Sequence, residues 1–213
     1  SWSQLGADID GEAELDYSGW SVSLSSDGTI VAIGAHENDG TATDNTNDNR
    51  GHVRVYQYRT LTDASFTDIS NNTNINYGGI VGPTVDGTWA SDKKFWVQLG
   101  DDIDGEAKSD ESGRSVSLSS DGLTVAIGTI NNDDNGSTSG HVRVYQYNDV
   151  SWSQLGADID GEAAYDYSSS SVSLSSDGKT LAIGAPLNDS NGLSESGHVR
   201  VYQYNDVSWS QLG

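Results

Sequence analysis

Apolar and polar residues alternate with a period of two over short stretches, and the same stretches recur along the chain. The phrase Ser-Val-Ser-Leu-Ser-Ser-Asp-Gly stands at 21–28, 115–122 and 171–178, with its valine and leucine set between serines. Such alternation predicts a short strand with one buried face. The closing Asp-Gly predicts a tight turn, because glycine supplies the positive φ that hairpin turns demand. A nearly continuous apolar run follows, Thr29–Ala35 in the first copy, as expected of a strand covered on both faces. A polar loop, His36–Arg50 in that copy, leads to Gly-His-Val-Arg-Val-Tyr-Gln-Tyr at 51–58, 140–147 and 197–204. There Val53 and Val55 share one face, and His52, Arg54, Tyr56 and Tyr58 the other. After Tyr147 and Tyr204 an Asn-Asp turn feeds a Trp-x-Gln-Leu-Gly phrase, which predicts a fourth strand of an antiparallel meander. No stretch carries a helical period.

The tryptophan phrases begin at Trp2, Trp96, Trp152 and Trp209, so the later units repeat every 56 or 57 residues. The first unit is longer: Tyr58 and Trp96 stand 38 positions apart, where the later units have 5. The chain therefore divides into a first unit at 1–58, an inserted Asn/Thr/Gly-rich excursion at 59–95, units at 96–150 and 151–207, and an extra outer strand at 208–213. The insert is rich in β-branched and aromatic residues and is expected to form a protruding β-rich excursion, with a hairpin at Thr84–Trp89. The predicted fold is all-β: four-stranded antiparallel blades of β-propeller type, three repeats plus one extra outer strand. Propellers close with about four to eight blades. Three blades thus point to a segment of a longer array, to a ring made by several chains, or to head-to-tail association into an open assembly.

These phrases resemble the FG-GAP repeat of integrin-type propellers, which reads roughly D-x-F-G-x-S-V, then a strand, then G-A-P, then G-x-V-x-V-Y. Asp16-Tyr17-Ser18-Gly19-Trp20-Ser21-Val22 matches with Ser18 in place of the phenylalanine. Asp110–Val116 departs in the same way, and Asp166–Val172 also has Ser169 for the glycine. The G-A-P phrase is complete at Gly184-Ala185-Pro186, and the last phrase is intact in all three units. The resemblance implies blade architecture. It leaves function open, because propellers host binders, scaffolds and enzymes alike.

Composition narrows the partners. Ten Lys and Arg face 32 Asp and Glu, a net charge of −22, which disfavours nucleic acid and anionic lipid. The absence of Cys and Met removes disulfides, thiol catalysis and cysteine metal sites. No apolar run approaches a membrane span and no targeting segment is recognisable, so the expectation is a mature product or an excerpt without membrane insertion. The expected location is extracellular or at the cell surface.

The best metal candidates are the acidic phrases that follow each Trp-x-Gln-Leu-Gly. Asp8, Asp10, Glu12 and Asp16 stand at relative positions 1, 3, 5 and 9, as do Asp102, Asp104, Glu106 and Asp110, and Asp158, Asp160, Glu162 and Asp166. Alternate carboxylates in a glycine-containing loop can converge on calcium, which takes six to eight hard oxygens, and the integrin-type resemblance implies a comparable D-x-D-x-D-G-x-x-D loop. Here the glycine falls at position 4, and the phrase precedes the Ser-Val-Ser-Leu strand instead of following it. The alternative is that these acids cap turns and solvate a blade rim. The loops Asn131–Gly136 and Asn188–Gly192 are further calcium candidates or ordinary turns. His52, His141 and His198 recur beside Arg54, Arg143 and Arg200 and are expected to pack between blades against acids. Glycosylation acceptor patterns stand at Asn71, Asn135 and Asn188. Symmetric copies of the same acids do not supply the two distinct carboxyl groups of a glycosidase. The sequence therefore reads as a non-catalytic extracellular structural or adhesive repeat protein. Its partners would be copies of itself, in a filament or oligomer, or further repeats of the same array. The alternative is a multivalent, lectin-like propeller that binds a glycan or cell-surface ligand, with calcium as a bridge.

Overall fold

The computed structural model describes residues 1–40, 48–60, 94–190 and 192–213. Among them there is no helix, and the strands form three antiparallel sheets. Blade 1 is β1 (Ser21–Leu24), β2 (Ile30–Ala35), β3 (His52–Thr60) and β4 (Lys94–Gln98), hydrogen-bonded in that order. Blade 2 repeats the meander as β6 (Ser115–Leu118), β7 (Thr124–Thr129), β8 (His141–Tyr147) and β9 (Trp152–Gln154). Blade 3 does so as β11 (Ser171–Leu174), β12 (Thr180–Ala185), β13 (His198–Tyr204) and β14 (Trp209–Gln211). The all-β, four-stranded architecture expected from the repeats is what forms. Registers are the same in each blade: Val22, Val116 and Val172 stand opposite Ile33, Ile127 and Ile183.

Two details differ from the sequence reading. The acidic phrases are not loop throughout, for Ile103–Asp104 (β5) and Ile159–Asp160 (β10) add short strands to the starts of β3 and β8. The blade also reaches into the segment set aside as insert: Arg59 and Thr60 continue β3 and pair with Phe95 and Lys94. The Thr84–Trp89 hairpin and Asn71 lie outside the described residues.

The turns follow from short side chains. Ser25 Oγ donates to Asp27 Oδ1 at 2.7 Å, and the Thr29 amide donates to the same oxygen at 2.9 Å. Ser119 with Asp121 and Ser175 with Asp177 repeat the arrangement. These are Asx-type turns, in which a carboxylate stands in for a backbone acceptor. The Thr29 amide and then the Ser25 hydroxyl hold the Asp27 carboxyl below its ordinary range.

Apolar layers lie between blades. Ile30, Ala32, Val53 and Val55 of blade 1 pack on Val116, Leu118, Val125 and Ile127 of blade 2. Ala126, Val142 and Val144 of blade 2 pack on Leu174, Leu181 and Ile183 of blade 3. Each blade therefore has a leading face, which meets its predecessor, and a trailing face, which meets its successor. The Ser-Val-Ser-Leu strand serves both. Its valine and leucine face the preceding blade, while its serines bond forward: Ser21 Oγ to the Gly113 carbonyl at 2.7 Å, and Ser115 Oγ to the Ser169 carbonyl at 2.7 Å. The indoles also lock successive units, with Trp96, Trp152 and Trp209 Nε1 donating to the carbonyls of Leu5, Leu99 and Leu155 at 2.9, 2.6 and 2.7 Å.

Candidate functional site

The acidic phrases are the connectors between blades, and the structure sends the acids of each phrase to different places. The last acid is a buried cap. Asp166 Oδ2 accepts the Ala163 amide at 3.1 Å and Asn188 Nδ2 at 2.8 Å. Asp16 does the same with Ala13 and Asn38, at 2.9 and 3.0 Å. Asp110 accepts the Ala107 amide at 3.2 Å, and burial pushes its carboxyl up. The first acid is oriented by the glutamine before it: Gln4, Gln98 and Gln154 Nε2 donate to Asp8, Asp102 and Asp158 Oδ1 at 2.8, 2.6 and 2.5 Å. The second acid contributes its carbonyl, and Arg54, Arg143 and Arg200 donate to the backbone oxygens of Asp10, Asp104 and Asp160 at 3.0, 2.8 and 2.6 Å. Burial, and next the neighbouring Asp158, push the Asp160 carboxyl up. The third acid meets the same arginine: Glu12, Glu106 and Glu162 stand 3.3, 3.3 and 3.9 Å from Arg54, Arg143 and Arg200.

A calcium site made by one phrase is therefore not what the geometry assembles. The glycine at position 4 has a different task. Its amide at Gly105 and Gly161 donates to the Gly51 and Gly140 carbonyls at 2.7 Å. A Cβ at Gly105 would collide with the Arg50 carbonyl, and one at Gly161 with the Ser139 carbonyl. This glycine lets the connector close on the blade rim.

Acids from successive phrases meet instead on the histidines. His52 Nδ1 lies 3.9 Å from Glu12 of the phrase before its blade and 3.7 Å from Asp102 of the phrase after it. His141 Nδ1 lies 3.8 Å from Asp158, and Glu106, Asp134, His141 and Asp158 each place a donor atom within 4.8 Å of the others. Glu12, His52 and Asp102 form a three-membered version. His198 meets Glu162 at 3.6 Å. Burial lowers the pKa of His141 to about 4, helped by the Arg143 guanidinium, so the ring is neutral at neutral pH. Burial also holds His52 below its ordinary value. Burial pushes the Glu106 carboxyl up against the opposing pull of Arg143, with Asp158 and Asp134 adding to the rise.

The packing of His and Arg against acids was legible in the sequence; the union of two phrases on one histidine was not. Its signal was Asp134. The same place in the other units, two residues after the asparagine of Asn38, Asn132 and Asn188, holds Gly40 and Ser190.

The other candidates have local jobs. Asn135 Nδ2 donates to the Gly161 and Glu162 carbonyls at 2.7 and 3.1 Å, and Asn188 bonds Asp166 inside the fold. In the loop Asn131–Gly136, Asn132 Oδ1 accepts the Asp134 amide at 3.0 Å.

The remaining distinctive surfaces are the two end faces. Val22 on the leading face of blade 1 is 63% exposed, whereas its counterpart Val116 is 9% exposed against blade 1. Val199 on the trailing face of blade 3 is 67% exposed, whereas Val53 and Val142 are at 0% under the next blade. Trp2, Leu24 and Trp20 are exposed at the leading end as well. Ile9 covers part of that face by packing on Val31, Ile33 and Tyr56.

Three stacked four-stranded antiparallel sheets define a blade-repeat protein of β-propeller type. Residues 103–145, from the second connector through most of β8, match the family model of the FG-GAP repeat, which bears out the resemblance over that stretch. Comparison with curated protein sequences finds no match. Among solved structures, the chain is similar to a Bacteroides uniformis protein assigned as a 6-phosphogluconolactonase, at 14% identity and a TM-score of 0.40, covering 92% of this chain and 71% of that one. It is also similar to Kuenenia stuttgartiensis hydrazine synthase, at 14% identity and a TM-score of 0.37, covering 96% of this chain and 51% of that one. Neither likeness bears on activity. Among the described residues, no helix is long and apolar enough to cross a membrane.

Proposed function

We propose that the chain is a non-catalytic structural or adhesive blade array, extracellular or at the cell surface, that associates end to end with copies of itself. The carrying observation is the pair of end faces. They consist of the same residues that pack at both internal seams, and they are complementary because one chain carries both halves of one interface. The occupant of the trailing face of blade 3 is the leading face of blade 1 from a second copy. In that contact Ile9 of the incoming copy lies along Val199, as Ile103 pairs with Val53 and Ile159 with Val142. Ser171 takes the role that Ser21 and Ser115 take at the internal seams. Such a contact is heterologous, so it yields a ring if the rotation closes and a filament if it does not. Further repeats of a longer array would use the same faces.

Several features support the remaining terms. The histidines, arginines and acids recur in equivalent surroundings on successive blades, which suits a repeated structural role better than a reaction centre. The FG-GAP match supports the extracellular setting. Light scattering over a range of chain concentrations, with negative-stain microscopy, tests the reading. Mass that grows with concentration, as rods or rings, is expected. A compact monomer at all concentrations that binds saturably to a glycan array would replace this reading with the lectin-like one.

A further inference from the structure

We propose that the rim of blade 2 carries a site for a divalent transition-metal ion of the zinc class, held by Glu106, Asp134, His141 and Asp158, with Glu12, His52 and Asp102 as a weaker copy on blade 1. A cluster of carboxylates on so acidic a chain would not by itself mark a site. The histidine does. His141 is completely buried, and neither Nδ1 nor Nε2 has a hydrogen-bond partner. An unsatisfied buried imidazole is costly, and this one aims Nδ1 at a carboxylate 3.8 Å away. That gap is too long for a hydrogen bond. It is about the span of two metal–ligand bonds of about 2 Å each across one ion. His52 repeats the feature, with Nε2 unpartnered and Nδ1 at 3.7 and 3.9 Å from its two acids.

The donor set selects the ion. One imidazole nitrogen with two or three carboxylates suits zinc and its neighbours, which accept mixed nitrogen and oxygen ligands. Calcium prefers six to eight oxygens, and the group holds three carboxylates. Binding also joins parts of the fold that are otherwise separate. Glu106 belongs to the connector whose Ile103–Asp104 pairs with blade 1, and Asp158 to the connector leading to blade 3. An ion on His141 therefore clamps both connectors to the blade between them. The groups are graded: four residues around His141, three around His52, and Glu162 alone at His198 among the described residues.

The test titrates zinc into the metal-free chain against a chromophoric chelator, and repeats the titration with cobalt(II), whose visible spectrum reports nitrogen-containing tetrahedral coordination. One tight site per chain and one weaker site are expected, neither displaced by calcium at equal concentration. Asp134→Gly, which installs the residue found at Gly40, should weaken the tight site at least as much as the roughly 10–100-fold that loss of an outer-shell partner costs. His141→Asn should abolish the tight site and its cobalt spectrum. Because Asp134 is on the surface, the glycine variant carries the test even where the buried histidine variant fails to fold. Zinc uptake that Asp134→Gly leaves unchanged, or that calcium displaces, would overturn the proposal.

Discussion

Val53, Val142 and Val199 occupy the same place in the same phrase, yet two are sealed inside the molecule and the third is open. The local sequence is identical, the strand pairing is identical, and only the presence of a following blade differs. Burial in this chain is thus a property of neighbours, not of strands. A blade supplies half of each of two interfaces and completes neither, which is the nearest-neighbour logic of repeat proteins.

That contrast can be broken by making one substitution at both places. Val142→Asp would bury a charge with no partner and should abolish cooperative folding, read by loss of the thermal transition. Val199→Asp should leave the melting of the single chain nearly unchanged while removing concentration-dependent mass. A milder pair sharpens the point. Val142→Ala should cost on the order of 2 kcal/mol in chemical denaturation, as a large-to-small change in a closed layer does. Val199→Ala in the dissociated chain should stay within about 0.5 kcal/mol, as surface changes do.

The connectors extend the comparison to polar groups. Asp166 and Asp158 belong to one phrase, but Asp166 is a buried cap with two partners and Asp158 faces the rim. Asp166→Ala should destabilise by about 1–3 kcal/mol, because it leaves the Ala163 amide and the Asn188 side chain unsatisfied. Asp158→Ala should cost less stability in metal-free buffer, and its effect should grow when zinc is added.

A smaller effect concerns His36, which is specific to unit 1. It packs against Tyr17 and Trp20, and burial, with the Arg114 guanidinium, lowers its pKa to about 4. The unfolded chain takes up this proton near pH 6.5, while the folded chain resists until about 4. The folded pKa is the lower one, so stability is full above 6.5 and falls as pH drops towards 4. His36→Ile, which copies the buried Ile130 of unit 2, should flatten the melting temperature over that window.

Much of this was legible in the chain because the phrases are copies. Strand order, the turn at Ser-Ser-Asp-Gly and the outer tryptophan strand could each be checked three times over. What escaped the sequence involves contacts between phrases about fifty residues apart. Asp102 and Glu12 reach His52 from two different connectors, and no spacing within one phrase encodes that meeting. The short strands β5 and β10 escaped for a similar reason: two residues of Ile-Asp pair only because the glycine after them allows close approach to the rim.

The most direct test of the end-face account uses two variants blocked at opposite ends, Val22→Asp on the leading face and Val199→Asp on the trailing face. Each retains one competent face, so each alone should remain a monomer by light scattering. Mixed in equal amounts they should form a discrete dimer that grows no further, because the competent faces are complementary and the blocked ones terminate it. Two variants that stay monomeric on mixing, while the unmodified chain assembles, would contradict the head-to-tail contact and place association on some other surface.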